Sequence, residues 1–398
     1  MATYEKIPGL ISLASNSPGT PTGYGQQGDY LVERLVRHGV KTSVLSNYGL
    51  EGSMSTIKTK HGDVAHYTRG VAPYSQDVLT TWHEHFKAQH VGVQDAIMTL
   101  YDVWVFNKWT DDVPVISWVP LDHVTMPPGV AQFVKREQVT PVAMSPFGKR
   151  QLDSVDIDSS YIPHAIDTNV YKRVDKLRGV PTREFMGIND DTFLVTIVAA
   201  NKANGLIHRK AYAENLLAFA MFLNDYPDSH LYIHADPSTT TGGFDLGVLV
   251  KACGVPKDKV TFANRDQLRV GYSREDLAAM YTASDVLLAV SYGEGFGVPC
   301  IEAQSCGTKV IASGWAASLD LASDDSYLVE GQPFWDEPQK AFYQIPLMGS
   351  VVSALIQAYK SERGFSATAR KFALAFDVDT VWDEYWMPFL RGYFSGPK

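Results

Sequence analysis

The sequence predicts an α/β protein of two doubly wound domains facing a cleft, on three observations. The chain has 398 residues, more than one hydrophobic core usually organises. Short apolar runs alternate with helix-length amphipathic stretches almost from end to end, as expected for parallel strands joined by crossover helices. A polar stretch over residues 175–191, with little apolar periodicity, divides this alternation into two series.

The first series opens with Leu10-Ile11-Ser12-Leu13-Ala14, a buried-strand pattern. A loop over 16–25 follows, with Pro18, Gly19, Pro21, Gly23 and Gly25. Residues 26–38 read as a helix with Leu31, Leu35 and Val36 at helical spacing, stopped by Gly39, and 42–46 is the next strand. Further strands are expected at 103–106, 115–119 and 142–145. The second series begins at 193–199 and continues with strands at 231–235, 260–262, 286–290 and 309–312. Helices are expected at 212–223, 275–282 and 298–306. The tail, 349–394, is helical and aromatic, with Trp382, Tyr385, Trp386, Phe389, Tyr393 and Phe394. The expected domains are 1–172 and 173–375, with a helix at 376–398 packing back on the first. Ligands of such sheets bind beyond the carboxyl ends of the strands, here toward the cleft.

Composition narrows the class. With 45% hydrophobic and 20% charged residues the chain is ordinary for a soluble globular protein. A net charge of −9 leaves no electrostatic footprint for a nucleic-acid backbone or an anionic membrane. Cys253, Cys300 and Cys306 are too few for a disulfide framework and lack zinc-ligand spacing, which fits a reducing cytosol. The N-terminal residues carry charge and no apolar core, so no secretory signal is read there. No apolar run approaches the roughly 20 residues that span a bilayer, so a cytoplasmic protein without integral membrane association is expected.

The informative stretch is 291–312. A strand ends in Ser291-Tyr292-Gly293-Glu294-Gly295-Phe296-Gly297, Val298-Pro299 opens a helix, and Gly307 caps it. Such a turn leaves backbone N–H groups unpaired at the positive end of a helix dipole, a recipe for binding phosphate. Glu294 in the turn and Glu302 in the helix flank it, which suits hydrogen bonds to sugar hydroxyls on either side of a diphosphate. A nicotinamide or other mononucleotide site would share the glycine turn.

Taken with Leu277, Tyr281, Ala283, Asp285-Val286, Ala303, Cys306-Gly307-Thr308 and Val310-Ile311-Ala312, this stretch resembles the donor-site block of family 4 retaining glycosyltransferases. Those enzymes have the GT-B fold, two Rossmann-like domains facing a cleft. The resemblance implies that Glu294 and the Gly295, Phe296, Gly297 and Val298 segment contact the donor sugar and phosphates, and that Glu302 holds the ribose hydroxyls. Arg209-Lys210 before Leu216-Leu217-Ala218-Phe219-Ala220 resembles the family's phosphate-gripping block. Lys210 matches its lysine; where the family carries an upstream arginine this chain has Asn201 or Lys202, so Lys202 or Arg209 is left to supply the first cation.

The resemblance extends diffusely through the first domain. Gly23-Tyr24-Gly25 stands where the family brings a glycine loop close to the phosphates. His123, after 115–119 and Pro120-Leu121-Asp122, resembles the family's histidine near the donor sugar, with Asp122 orienting it or acting on the acceptor hydroxyl. Asn264 follows a strand at the level of the nucleobase. Ile162-Pro163-His164-Ala165-Ile166-Asp167 resembles the segment leading out of the first domain.

The implied activity is metal-independent, retaining transfer of a hexose-type sugar from a nucleoside-diphosphate sugar, with no cofactor beyond that co-substrate. The acceptor is expected to be soluble: a saccharide, small molecule, protein or modified nucleobase. A nucleotide-sugar epimerase or hydrolase of the same fold, or a non-catalytic nucleotide-sugar binder, would carry the same donor signature. His83-Glu84-His85 with His90 splits across element faces and reads as no metal site. Asp156-Ile157-Asp158 and Asp377-Val378-Asp379 read as surface turns.

Overall fold

The computed structural model describes residues 4–396 except 107, 108, 110, 204 and 206. Its first sheet is built from β1 (Leu10–Ser15), β2 (Lys41–Ser46), β3 (Ser55–Thr59), β4 (Gly62–Tyr67), β5 (Asp95–Thr99), β6 (Val115–Val119), β7 (Val139–Ala143) and β8 (Ser160–Tyr161). The order is β3-β4-β2-β1-β5-β6-β7-β8, parallel throughout except for the β3–β4 hairpin. β1, β5 and β6 are buried at every position, as strands covered by helices on both faces must be.

A short antiparallel pair, β9 (Lys176–Leu177) with β10 (Val180–Pro181), leads to the second sheet. That sheet comprises β11 (Phe193–Val198), β12 (Ser229–His234), β13 (Val260–Phe262), β14 (Val286–Ala289), β15 (Lys309–Ser313) and β16 (Tyr327–Val329). All six are parallel, in the order β13-β12-β11-β14-β15-β16. β17 (Gly331–Asp336) and β18 (Ala341–Pro346) then form a hairpin outside both sheets.

Three expectations are corrected. Residues 103–106, expected as a strand, hold a 3-10 turn at Val103–Val105, because an apolar run this short does not distinguish a strand from a buried turn. The polar 175–191 stretch is not a plain linker: it contains β9, β10 and a helical turn, Thr182–Phe185. Asp377 and Asp379 are not a loose surface turn. Asp377 accepts from the Thr168 hydroxyl at 2.6 Å, and Asp379 pairs with Arg34 at 2.7 Å.

The C-terminal segment returns to the first sheet. Trp382 is 1% exposed, stacks obliquely on His38 with centroids 5.0 Å apart and donates its indole N–H to that ring at 3.0 Å. Trp386 meets Trp118 edge to face at 4.9 Å. The same apolar core continues into the second sheet's layer through Phe296, Ile301 and Phe376, so both halves share it. Arg370 adds a polar tie, donating to the carbonyls of Thr168, Tyr171 and Ser305. Among the described residues no helix is long and apolar enough to cross a membrane.

Candidate active site

The carboxyl end of β14 delivers the glycine turn, and its geometry follows from two close approaches. A Cβ on Gly293 would land on the carbonyl oxygen of Asp122 and 2.9 Å from the Tyr343 ring. One on Gly295 would lie 2.7 Å from Pro120. Glycine is therefore needed because this turn meets the 120–122 loop of the first sheet backbone to backbone. Gly297 closes the turn at φ +96°, a left-handed conformation, as the N-cap of helix Val298–Ser305. Among the described residues, the N–H groups of Gly295, Phe296 and Gly297 have no hydrogen-bond partner. The Phe296 side chain turns away into the core, against His164 at 5.1 Å and Phe376 at 5.7 Å.

Replacing Gly293 with alanine is expected to lower stability by about 1–3 kcal/mol, the usual cost of forcing volume into a filled contact. A denaturant midpoint equal to that of the unaltered protein would show that turn and loop do not touch in solution.

Glu294 is the electrostatic centre. Its Oε1 lies 2.5 Å from the Lys210 ammonium and its Oε2 2.9 Å from the Arg209 guanidinium. Burial alone would raise its pKa, but Lys210 and then Arg209 outweigh it and hold the carboxyl at about 2. Both cations are fixed from behind. The Arg209 carbonyl accepts from Tyr292 N–H at 2.8 Å, and Asn215 donates to the Lys210 carbonyl. Ala211, at φ +49°, turns the chain so that both side chains meet Glu294.

Across from this cluster, Asp122 Oδ2 lies 3.7 Å from Arg209, and its Oδ1 2.7 Å from His123 Nδ1. His123 does not present a free nitrogen to a ligand here. Its Nε2 is 3.1 Å from Asp336, and Tyr343 stacks on the ring at 3.7 Å. Burial lowers its pKa, yet the two carboxylates raise it overall, while His123 and Arg209 hold Asp122 low against its own burial. Sequence reading missed Asp102. It reaches solvent beside Tyr24, and burial by surrounding protein followed by the charge of Asp122 raises its carboxyl to about 6. Its one available signal was its place just past a buried strand, β5.

Glu302 sits in a tight polar nest rather than on an open surface. It is 4% exposed and accepts from Tyr281 at 2.8 Å and from Gln26 at 3.2 Å, with the Tyr171 hydroxyl beside Gln26. Burial raises its pKa. Gln26 belongs to helix Gly23–Arg37 of the first sheet, so this contact also joins the two halves.

The remaining expected residues divide. Gly23 is exposed with nothing within 4 Å of a Cβ, open to a close approach. Gly25, in the first turn of helix Gly23–Arg37, is required by the loop before it instead, since a Cβ would strike the Thr20 side chain. Lys202 is exposed beyond β11. The Asn201 side chain is tied into its own loops, donating to the carbonyls of Asp236, Ser238 and Phe244 and accepting from His208 at 2.9 Å. Asn264 caps helix Arg265–Val270, accepting from Gln267 N–H, and its own N–H is taken by the Tyr272 hydroxyl. His83 is buried between Ser12 and Asp95. Among the described residues no cluster of three His, Cys, Asp or Glu is placed to hold a metal.

Two doubly wound sheets meeting at this turn make the GT-B fold of glycosyltransferases. The segment 261–332 matches the family model described as "Glycosyl transferases group 1". A D-inositol 3-phosphate glycosyltransferase of Mycobacterium sp. (strain KMS) is 37% identical over 115 residues, 28% of this chain and 24% of that protein. The alignment thus spans about a quarter of that curated relative's length. Among solved structures, sucrose-phosphate synthase from Thermosynechococcus elongatus superposes with a TM-score of 0.70 at 18% identity, covering 97% of this chain and 99% of that one. Anabaena HepE, in complex with UDP and glucose, gives 0.62 at 16% identity, over 96% and 99%. At these identities the structural likenesses establish the fold.

Proposed function

We propose that the protein is a retaining, metal-independent glycosyltransferase that moves a hexose-type sugar from a nucleoside-diphosphate sugar to a soluble acceptor. The observation that carries this reading is the Arg209–Glu294–Lys210 cluster set beside unpaired amides at the start of helix Val298–Ser305. Those amides and the two cations suit a diphosphate, and Glu294 suits the hydroxyls of the sugar attached to it. The Glu302 nest suits a ribose, whose hydroxyls would take the place of the Gln26 amide. Residues 1–172 with 376–398 form the acceptor-side unit in this reading, and 173–375 the donor side.

The chemistry asked of the protein is positioning and charge stabilisation. Arg209 and Lys210 neutralise the diphosphate as the anomeric bond breaks. The acceptor hydroxyl enters on the face the diphosphate leaves, and a departing phosphate oxygen takes its proton. The wall formed by Tyr24, Asp102 and Asp122 offers a hydroxyl and two carboxylates, which suit the hydroxyls of a neutral saccharide better than an anionic acceptor. HepE's bound UDP makes uridine sugars the first donors to try.

The test combines thermal shift against UDP, GDP and ADP sugars with release of nucleoside diphosphate. One donor class is expected to raise the melting temperature, and release is expected to accelerate in the presence of saccharide acceptors. No shift with any nucleotide sugar would sink the proposal. Release as fast without acceptor as with it would favour a hydrolase, and binding without turnover a sugar-nucleotide sensor.

A further inference from the structure

The hairpin β17–β18 joins the glycine turn in crossing from the second half to the first alongside the cation cluster. Val124 N–H donates to the Phe342 carbonyl and Phe342 N–H to the Val124 carbonyl, both at 2.9 Å. This antiparallel bridge adds the hairpin to the loop that follows β6. On the other side, Gln344 N–H donates to the Tyr292 carbonyl at 2.9 Å, so the hairpin also grips the glycine turn.

This placement brings Asp336, 5% exposed, to His123 Nε2, and lays the Tyr343 ring on the imidazole at an angle of 29°. The Tyr343 hydroxyl also donates to Asp122 Oδ2 at 3.4 Å. The result is an alternating chain of charge: Asp336, His123, Asp122, Arg209, Glu294, Lys210. Each member holds the next one. An imidazole that donates from both nitrogens to two carboxylates carries a positive charge, and the two carboxylates raise the His123 pKa in that direction.

We propose that the hairpin is a positioning element for the site, in which Asp336 and Tyr343 hold the His123 ring so that Asp122 is oriented toward Arg209. Removing the Asp336 charge would leave Asp122 as the sole carboxylate on His123, and the ring would lose its proton more readily. Asp122 would then draw Arg209 harder, away from Glu294. The groups facing His123 are Asp122 on its own loop and Asp336 and Tyr343 on the hairpin. Arg209, with Glu294 behind it, faces the far side of Asp122. Burial lowers the His123 pKa and the two carboxylates raise it, with a net upward direction. Asp336 and Tyr343 act through His123 and are positioning residues.

The role of the site rests on the proposed transferase reading, but the hairpin can be tested without it. The His123 imidazole is titrated by NMR in the full chain, in the unaltered protein, Asp336→Asn and Glu337→Gln. The unaltered protein is expected to hold the His123 proton above the ordinary imidazole range. D336N is expected to weaken proton binding by about tenfold or more, and E337Q, an exposed neighbour on the same hairpin, to leave it unchanged. In transfer assays D336N is expected to lower kcat by about tenfold with the donor KM nearly unchanged, and to move the pH profile with the His123 titration. Asp336→Glu should restore both. A His123 that titrates at or below the ordinary range in the unaltered protein overturns the proposal even if D336N does not fold. So does a titration that D336N leaves unmoved. A protein that transfers no sugar but shows the expected titrations would defeat the functional reading and leave the hairpin's role standing.

Discussion

Replacing Glu294 with glutamine is expected to cut sugar transfer by about three orders of magnitude and to destabilise the fold by about 3 kcal/mol. Both effects have one cause. Glutamine keeps the shape but removes the negative charge between Arg209 and Lys210, leaving two partly buried cations facing a neutral amide. Breaking one partner out of a buried ion pair strands the others, which costs more than the pair contributes. For transfer, the loss amounts to about 4 kcal/mol of barrier, the scale of removing one preorganised electrostatic group. The same carboxylate sets an acid limit. Because its pKa is depressed from 4.5 to about 2, its contribution to stability is fully present above pH 4.5 and is lost as the pH falls toward 2. Urea titrations at pH 7 and pH 3 should therefore converge for E294Q relative to the unaltered protein. An equal gap at both pH values would show that Glu294 is not ionised between its cations.

Trp382→Ala is expected to cost 3–5 kcal/mol, about the range for emptying a large aromatic site in a packed core. Trp382 is one of the largest side chains buried in the chain, and it packs on His38 in the same core as Trp386 and Val381. The His38 ring accepts the indole proton at Nε2, so its Nδ1 carries the hydrogen and donates to the Glu5 carbonyl at 2.8 Å. This neutral tautomer agrees with the downward direction of the His38 pKa, caused first by burial. Its sign follows: the contribution of a neutral buried histidine is present above the unfolded imidazole range and is lost as the pH falls. Trp382→Phe retains an aromatic ring of smaller volume and removes the indole N–H, leaving the His38 acceptor unpaired at about 1–3 kcal/mol. Chemical denaturation of both variants measures the difference. A loss in W382A no larger than that in W382F would show that the tail does not carry the packing assigned to it.

Much of this molecule was legible in one dimension. β6 and β13 begin and end where the apolar runs do, and β1, β2, β11, β12, β14 and β15 fall within two residues of theirs. Parallel strands buried on both faces must be continuous apolar runs, so their periodicity survives without knowledge of their neighbours. The turn 293–297 was legible for the same local reason, since a strand, a glycine string and a proline-led helix can fold in few ways. The β3–β4 and β17–β18 hairpins were not. β3 is half-exposed or fully exposed throughout, and β17 alternates weakly around Pro333, so neither shows the run that marks a buried strand.

Local chemistry was enough to establish an α/β chain with a phosphate-suited turn at 293–297 and two cations at Arg209 and Lys210. Which charge faces which was decided only in three dimensions. Glu294 lies 84 residues from Lys210, Asp336 lies 213 from His123, and Gln26 lies 276 from Glu302. Apart from Asp102's place after a buried strand, nothing in the neighbourhood of Asp102, Asp336 or Gln26 marks them, because each takes its role from residues distant in the chain. Electrostatic pairing acts through space, and its partners become visible only when the two sheets have been brought together.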